Sequence, residues 1–416
     1  MNNTMQSWTL PRKILFRFIS LYFTLYILSF PAGMMSLPGF AELLKLLASV
    51  TGKVMFGAGY TNNIHPTGSG DTQYAYVCIV TILALAFAGT IAWSLLDRRR
   101  ISYLKLQYWF RATIRYWLAI ELISYGMYKV IQIQFLPPTL YDLDQPLGNS
   151  TPMGLAWKFF GHSATYNLFM GLAEVIPGIL LLFRRTTLAG ALLAIGVMTN
   201  VFVLNLTYDI PVKQFSGHLL LTAIVIAAPE LRRLGQFLSG SHIVQPSTLY
   251  KPVFSKRWQR YLVIGIKVIF LFMVLDTYMI ERYIVGKKSQ AHYAEKQTLY
   301  GIYEVKQIKA PVDYNNLNGW QKIYFDQRNM CVIVHNDNTL SFGTFKVDTT
   351  KKKVSFTGRN ILQQEFSYTS MTDGQLQLTA TINNSPDSIL LQAKDIPDFR
   401  LKHTKFNWVT EYPNNL

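Results

Sequence analysis

Cysteine is nearly absent from this sequence. The two cysteines, Cys78 and Cys331, lie in an apolar run and in the C-terminal region. There is no CxxC, zinc-type spacing or disulfide framework, which excludes thiol-disulfide chemistry from a local pair. Only a long-range Cys78–Cys331 bond stays open, and its geometry demands a close approach that sequence does not show. Acidic residues are also scarce, with 23 Asp and Glu against 40 Lys and Arg, a net charge of +17. Phosphate-loop, metalloprotease, kinase, haem and nucleotide motifs are missing. Ser163 beside His162 has no nucleophile context. The histidines and carboxylates lack metal-ligand spacing, so no metal site is expected.

What is present is hydrophobic: half of the 416 residues are apolar, 14% are aromatic and only 15% are charged. The apolar residues are blocked into long runs, the composition of a membrane protein. An excess of Lys and Arg can signal nucleic acid. Here the cations cluster at the ends of apolar runs, which is a topology pattern, so lipid rather than nucleic acid is the expected partner.

The expected spans are 14 to 36, 74 to 96, a third from a basic stretch (Lys105, Arg111, Arg115) to Phe135, 163 to 183, a fifth to about 208, a sixth opened by Pro211, and a seventh from Trp258 to about Arg282. The first run is too long and aromatic for a cleaved signal core, so it is read as retained. Phe40 to Phe56 has helical spacing suited to a surface helix, and Pro152 to Phe160 reads as a short helix. Lys267 and Asp276 fall inside the seventh span. Arg/Lys-rich ends fall on one side if the N-terminus is cytoplasmic and spans alternate, which puts the C-terminus outside a bacterial inner membrane.

From Leu299 the period becomes two. Strands are expected at Tyr300 to Ile308, Trp320 to Phe325, Met330 to Val334, Leu340 to Val347, Lys353 to Phe356, Glu365 to Thr369, Gln375 to Ile382, Ile389 to Ala393 and Phe399 to His403. Short strands with turn signals between them predict an antiparallel barrel or sandwich. The domain reading is a two-span region 1–107, a four-helix bundle 108–233, a linker with the seventh span 234–286, and an outer β-domain 287–416.

Ionisable residues within apolar segments need partners, since each costs roughly 2.5 to 3.5 kcal/mol near a bilayer centre. On the third helix Glu121, Tyr125, Tyr128 and Gln132 fall within about 60 degrees of one another on a helical wheel, with Lys129 flanking, so the stripe is expected to face inward. It is either a hydrogen-bond seam or a ligand and proton site. Glu174 lies mid-span three residues before Pro177 and is either a proton carrier or the structural partner of Lys129 or Lys213. Asn200, Asn205, Asp209, Lys213, Gln214 and His218 complete the polar set, and His65 and Asp71 are placed to reach it from the first loop. Glu174, Lys129 and His218 are the candidates for proton chemistry, and Glu121, Tyr125, Gln132, Asn200, Asn205, Asp209, Lys213 and Gln214 those for ligand binding.

The third to sixth spans resemble the DoxX family of bacterial membrane proteins. The residues that carry the likeness are Arg115-Tyr116, Glu121, Tyr125-Gly126, Lys129, Gln134-Phe135, Ser150-Thr151-Pro152-Met153-Gly154, Gly161-His162-Ser163, Gly171 with Glu174, Leu181-Leu182-Phe183-Arg184-Arg185-Thr186-Thr187 and Tyr208-Asp209-Ile210-Pro211-Val212-Lys213. The whole chain looks like a longer form with extra spans and an outer domain ending in Phe406-Asn407-Trp408-Val409-Thr410-Glu411-Tyr412-Pro413. The resemblance implies a membrane subunit of a redox-linked system, with quinone as the cofactor and an oxidoreductase subunit as partner. The alternative is a non-enzymatic handler of lipid or exported cargo, and fold likeness alone does not decide between them.

Overall fold

The computed structural model describes residues 7–29, 38–64, 67–240, 249–250, 252, 256–294, 298–309, 319–359, 361, 365–382, 385–403, 409 and 411. His65, the end of the first apolar run and most of the Phe406–Pro413 motif lie outside the described residues. The chain divides into two compact units, Met1–Gln134 with Ala164–Ile284, and Phe135–Ser163 with Val285–Leu416.

The first unit is helical: α1 (Leu10–Ser29), α2 (Pro38–Phe56), α3 (Gln73–Leu96), α4 (Leu104–Val130), α7 (Ala164–Leu182), α8 (Thr187–Thr207), α9 (Lys213–Ala227), α10 (Leu231–Leu238) and α11 (Arg257–Leu275). After α11 the helix continues through a π-helical turn, Asp276–Glu281, into α12 (Arg282–Ala294). Among the described residues, five helical stretches are long and apolar enough to cross a membrane: Gln73–Leu96, Ala164–Leu182, Thr187–Thr207, Lys213–Leu238 and Arg257–Ala291. Helices α1 and α4 are not among them because of their charges, Arg12, Lys13 and Arg17 in α1 and Lys105, Arg111, Arg115, Glu121 and Lys129 in α4.

Those charges are largely enclosed. Helix α4 packs against α1, α7, α9 and the π-helical turn. Arg17 is almost fully buried, yet donates to Ser94 Oγ (2.8 Å), the Asp97 carbonyl (2.9 Å) and Tyr103 Oη (2.7 Å from Nη2), tying α1 to the end of α3 and the start of α4. A guanidinium so satisfied escapes most of the burial penalty.

The closest helix contact is between α4 and α7. A Cβ on Gly126 would lie 2.7 Å from the Gly171 carbonyl oxygen, and one on Gly171 would lie 2.7 Å from that of Gly126. Only glycine admits this approach. Pro177 sits inside α7, which runs on through it.

Helix α4 stops at Val130, not at the expected Phe135. Gln132 takes a left-handed conformation (φ 52°) and its N–H bonds back to Lys129 O, while Ile133 N bonds to Tyr128 O. A left-handed residue just past the end is a common helix stop, though glycine is the usual occupant.

The second unit combines α5 (Leu140–Asp144), α6 (Pro152–His162), most of α12, eight strands and the one-turn helix α13 (Arg400–His403). Thr139 and Asp142 cap α5 reciprocally, and Thr151 caps α6 with Pro152 at its first position. Strands β1 (Gly301–Lys309), β2 (Trp320–Phe325), β3 (Met330–His335), β4 (Leu340–Asp348), β5 (Lys353–Arg359), β6 (Glu365–Ser370), β7 (Gln375–Ile382) and β8 (Ser385–Lys394) follow one another round a closed antiparallel barrel. Closure is by β1 on β8, with Tyr303 opposite Ala393.

The ninth expected strand is corrected: Phe399 to His403 is a loop residue and a helical turn, because the barrel closed at β8 leaves no edge to extend. Phe325, Phe345, Phe356 and Phe366 fill the interior in tilted and edge-to-face pairs 4.9 to 5.9 Å apart. Phe342 of β4, by contrast, is exposed. The opposite face of β1 to β3 is covered too: Ile302, Tyr324 and Val332 cluster with Leu140 of α5. Segment 135–163, placed by sequence inside the membrane bundle region, thus belongs to the barrel unit.

Candidate functional site

The polar residues of the first unit gather at three places. The first is an ion pair. Lys129 Nζ lies 2.8 Å from Glu174 Oε2, both side chains nearly inaccessible, so Lys129 rather than Lys213 is the partner of Glu174. Each residue follows its helix's contact glycine by three positions. Side chains on a helix lean toward its N-terminus, so on antiparallel helices the two lean toward the same crossing point.

The second is the start of α9. Val212 supplies no capping side chain, and Asp71 does so from a distant loop: its carboxylate accepts from the N–H of Lys213 (2.7 Å) and of Gln214 (3.0 Å). A carboxylate satisfying first-turn donors also meets the positive end of the helix dipole. Gly70 N donates to the Pro211 carbonyl (2.8 Å), closing the same clamp. Lys213 Nζ reaches Asp209 Oδ1 (2.7 Å) and lies 3.9 Å from Asp71.

The third is the ring of His218. Its Nδ1 is 2.7 Å from the Gln214 carbonyl, which can only accept, so Nδ1 carries a proton. Nε2, 2.6 Å from Tyr22 Oη, therefore accepts from that hydroxyl when the imidazole is neutral and donates to it when the ring is charged. The His218 ring stacks on Tyr26 (4.0 Å, 6°), which also meets Trp117 edge-on (6.0 Å, 89°). Glu121 is buried on α4, close enough to act electrostatically on Tyr26 and to feel the charge of Arg282. Its Oε1 and Gln214 Nε2 are buried without a hydrogen-bond partner among the described residues. Buried polar atoms are normally paired, and Tyr60 Oη, Asn62 Oδ1 and Arg115 Nε of the same unit share this condition among the described residues.

The inward stripe on α4 is corrected in part. Glu121 and Lys129 are buried, but Tyr125 and Tyr128 are exposed, Tyr128 lying under the Arg282 guanidinium (4.4 Å), and Gln132 falls beyond the helix end. Asn200 and Asp209 are exposed, whereas Asn205 is buried and donates to Ser216 Oγ (2.9 Å). Asn200 and Asn205 are about 140 degrees apart round the helix, so one face cannot hold both. His162 is exposed and belongs to the barrel unit. Tyr22, Tyr26 and Trp117 were not singled out from sequence. The available signal was the Tyr22/Tyr26 spacing of four, which puts two hydroxyls on one face of an apolar helix.

No family model and no solved structure matches the chain. Over 122 residues, 29% of this chain and 77% of the relative, the sequence is 32% identical to "Uncharacterized protein YwoB" of Bacillus subtilis (strain 168). The chain belongs to the family of that protein. The name of that relative carries no activity.

Proposed function

We propose that this is a DoxX-like multi-pass protein of the bacterial inner membrane, a membrane subunit of a redox-linked, quinone-associated system. In this reading α1 and α4 join the five apolar stretches to make seven crossings. The N-terminus is inside and residues 287–416 are outside. Helix α4 crosses despite its charges because neighbouring helices enclose Arg115, Glu121 and Lys129.

The observation that carries the reading is the line Gln214 carbonyl, His218, Tyr22, with Glu121 buried on the adjoining α4 and its Oε1 without a hydrogen-bond partner among the described residues. A histidine fixed at Nδ1 can give or take a proton at Nε2, and a phenol can pass that proton on. Such groups exchange protons with a reducible headgroup while a partner subunit handles the electrons. The Lys129–Glu174 pair, held by two close-packed helices, supports a structural role for Glu174 in place of the proton-carrying one.

Extraction of the purified full-length protein should yield an isoprenoid quinone in near-stoichiometric amount, and less from Tyr22→Phe and Glu121→Gln. Quinone content no higher than in an unrelated membrane protein prepared from the same cells would sink the proposal. The crossing pattern is tested separately in intact cells, where Thr349→Cys should react with an impermeant maleimide and Arg185→Cys should not.

A further inference from the structure

The first unit has a further polar feature, away from His218. A cleft of about 520 Å³ opens beside the first half of α4, lined by Arg111, Arg115, Arg184 and Lys267 and, among the described residues, by no Asp or Glu. Arg115 is buried; its Nη1 donates to Thr187 Oγ1 (3.0 Å) and its Nε has no partner among the described residues. The other two arginines are also steadied by neutral oxygens, Arg111 Nε by the Ile226 carbonyl (3.0 Å) and Arg184 Nη2 by the Tyr250 carbonyl (3.1 Å). Glu230, whose charge reaches Arg111, is bonded to Arg233.

Four cations lining one recess without a carboxylate among them repel one another, and a buried charge calls for an opposite one. Arginine forks match the oxygens of a phosphate in pairs, and a lysine adds a point charge. Helix α11 contributes Lys267 and, beside it, the apolar Val263, Ile266 and Phe270, of which the first two are exposed. A ligand filling the cleft is therefore anionic at one end and hydrocarbon at the other.

We propose that this cleft binds the phosphate headgroup of an anionic lipid, with a hydrocarbon chain along α11. The site shares no residue with the His218 line, so it stands or falls independently of the redox reading. Two motif stretches from the sequence, Arg115-Tyr116 and Arg184 to Thr187, meet here through the Arg115–Thr187 hydrogen bond.

The test uses the full chain in a neutral detergent and reads bound lipid by native mass spectrometry after mixing with dioleoyl phosphatidylglycerol or dioleoyl phosphatidylcholine. Phosphatidylglycerol should be retained in preference to phosphatidylcholine. Arg115→Gln and Lys267→Gln should each weaken that retention by about tenfold, the loss of one charge-assisted hydrogen bond. Because Arg115 is buried and its change can disturb folding, Lys267→Gln, on the open wall, carries the test alone if Arg115→Gln does not fold. Inorganic phosphate is the second probe: competition that leaves the lipid preference in place supports recognition of the phosphate group. Stabilisation by inorganic phosphate with no lipid preference would make free phosphate the ligand and overturn the lipid assignment. Equal retention of both lipids by the wild type, or unchanged phosphatidylglycerol retention in Lys267→Gln, overturns the proposal.

Discussion

Lys129 and Glu174 meet 2.8 Å apart, three residues beyond the two glycines, Gly126 and Gly171, through which their helices touch. The pair is nearly sealed from solvent, so removing one charge strands the other. Glu174→Gln should lower stability by about 3 to 5 kcal/mol, the usual cost of breaking a buried pair, and Lys129→Met should recover much of it in the double variant. Melting temperatures of the two singles and the double decide this. A stable Glu174→Gln would remove the structural role.

The glycine contact makes its own prediction. Gly126→Ala places a methyl group 2.7 Å from a backbone oxygen and should cost about 1 to 3 kcal/mol as the helices separate. Gly196→Ala, whose Cβ would meet nothing within 4 Å, is the control and should be neutral or mildly stabilising. Comparable melting temperatures for the two variants would contradict the close approach.

Asp71 acts as the cap of α9 from outside the helix. Asp71→Ala should cost about 0.5 to 2 kcal/mol, as the loss of a capping side chain does. Hydrogen exchange at Lys213 and Gln214 should accelerate while exchange in α3 is unchanged. Uniform acceleration through the unit would mean that Asp71 holds more than the helix start.

A fragment beginning at Ala294 holds all eight strands, and so should give strand-type circular dichroism. It leaves Ile302, Tyr324 and Val332 partly uncovered, however, because Leu140 and Tyr141 of α5 belong to their cover. A synthetic peptide spanning residues 135–163 should therefore bind the fragment and raise its melting temperature. No shift at saturating peptide would argue that the cover contributes nothing.

The same contact sets a pH dependence. Burial pushes Asp144 up, but the Tyr324 hydroxyl (2.7 Å), the Lys322 ammonium (3.0 Å) and the charge of Lys394 outweigh it and hold this carboxyl below its ordinary range. A depressed folded-state pKa gives stability that is present above the unfolded value of about 3.9 and lost as pH falls toward the folded one. Asp326 works the other way. Its burial outweighs the N–H donors of Leu140 and Gln327, so protonation relieves it. Asp144→Asn should accordingly flatten the acid side of the barrel unit's urea-midpoint profile, and Asp326→Asn should steepen it. Parallel profiles for wild type and Asp144→Asn would refute the assignment.

Much of this architecture was legible because its signals are periodic. Alternation located eight strands, and Trp320–Phe325 agrees to the residue. The same alternation at Phe399 to His403 misled, since it cannot report that the barrel has already closed. Long apolar runs located the helices, but the end of α4 depends on a left-handed Gln132, which no side-chain preference announces. The site was legible by residue type and only partly by partner. Lys129 and Glu174 could be paired because both are ionic and need a counter-charge. Tyr22 and Tyr26 could not be matched to His218, because a tyrosine in an apolar helix looks the same whether it faces lipid or a ring nitrogen.

The pairing of β1 with β8 has a consequence in time. A barrel whose first strand bonds to its last cannot close until the final strand has been made, so its ladder is completed only when residues 385–394 emerge from the ribosome. Leu140, whose N–H is bound by Asp326 across 186 positions, is synthesised long before its acceptor. The apolar face of α5 must therefore wait, uncovered or sheltered by another molecule, through the making of every helix from α6 to α12. Substitutions that weaken this face would then show first in how much protein accumulates in the cell, and only later in the stability of what has folded.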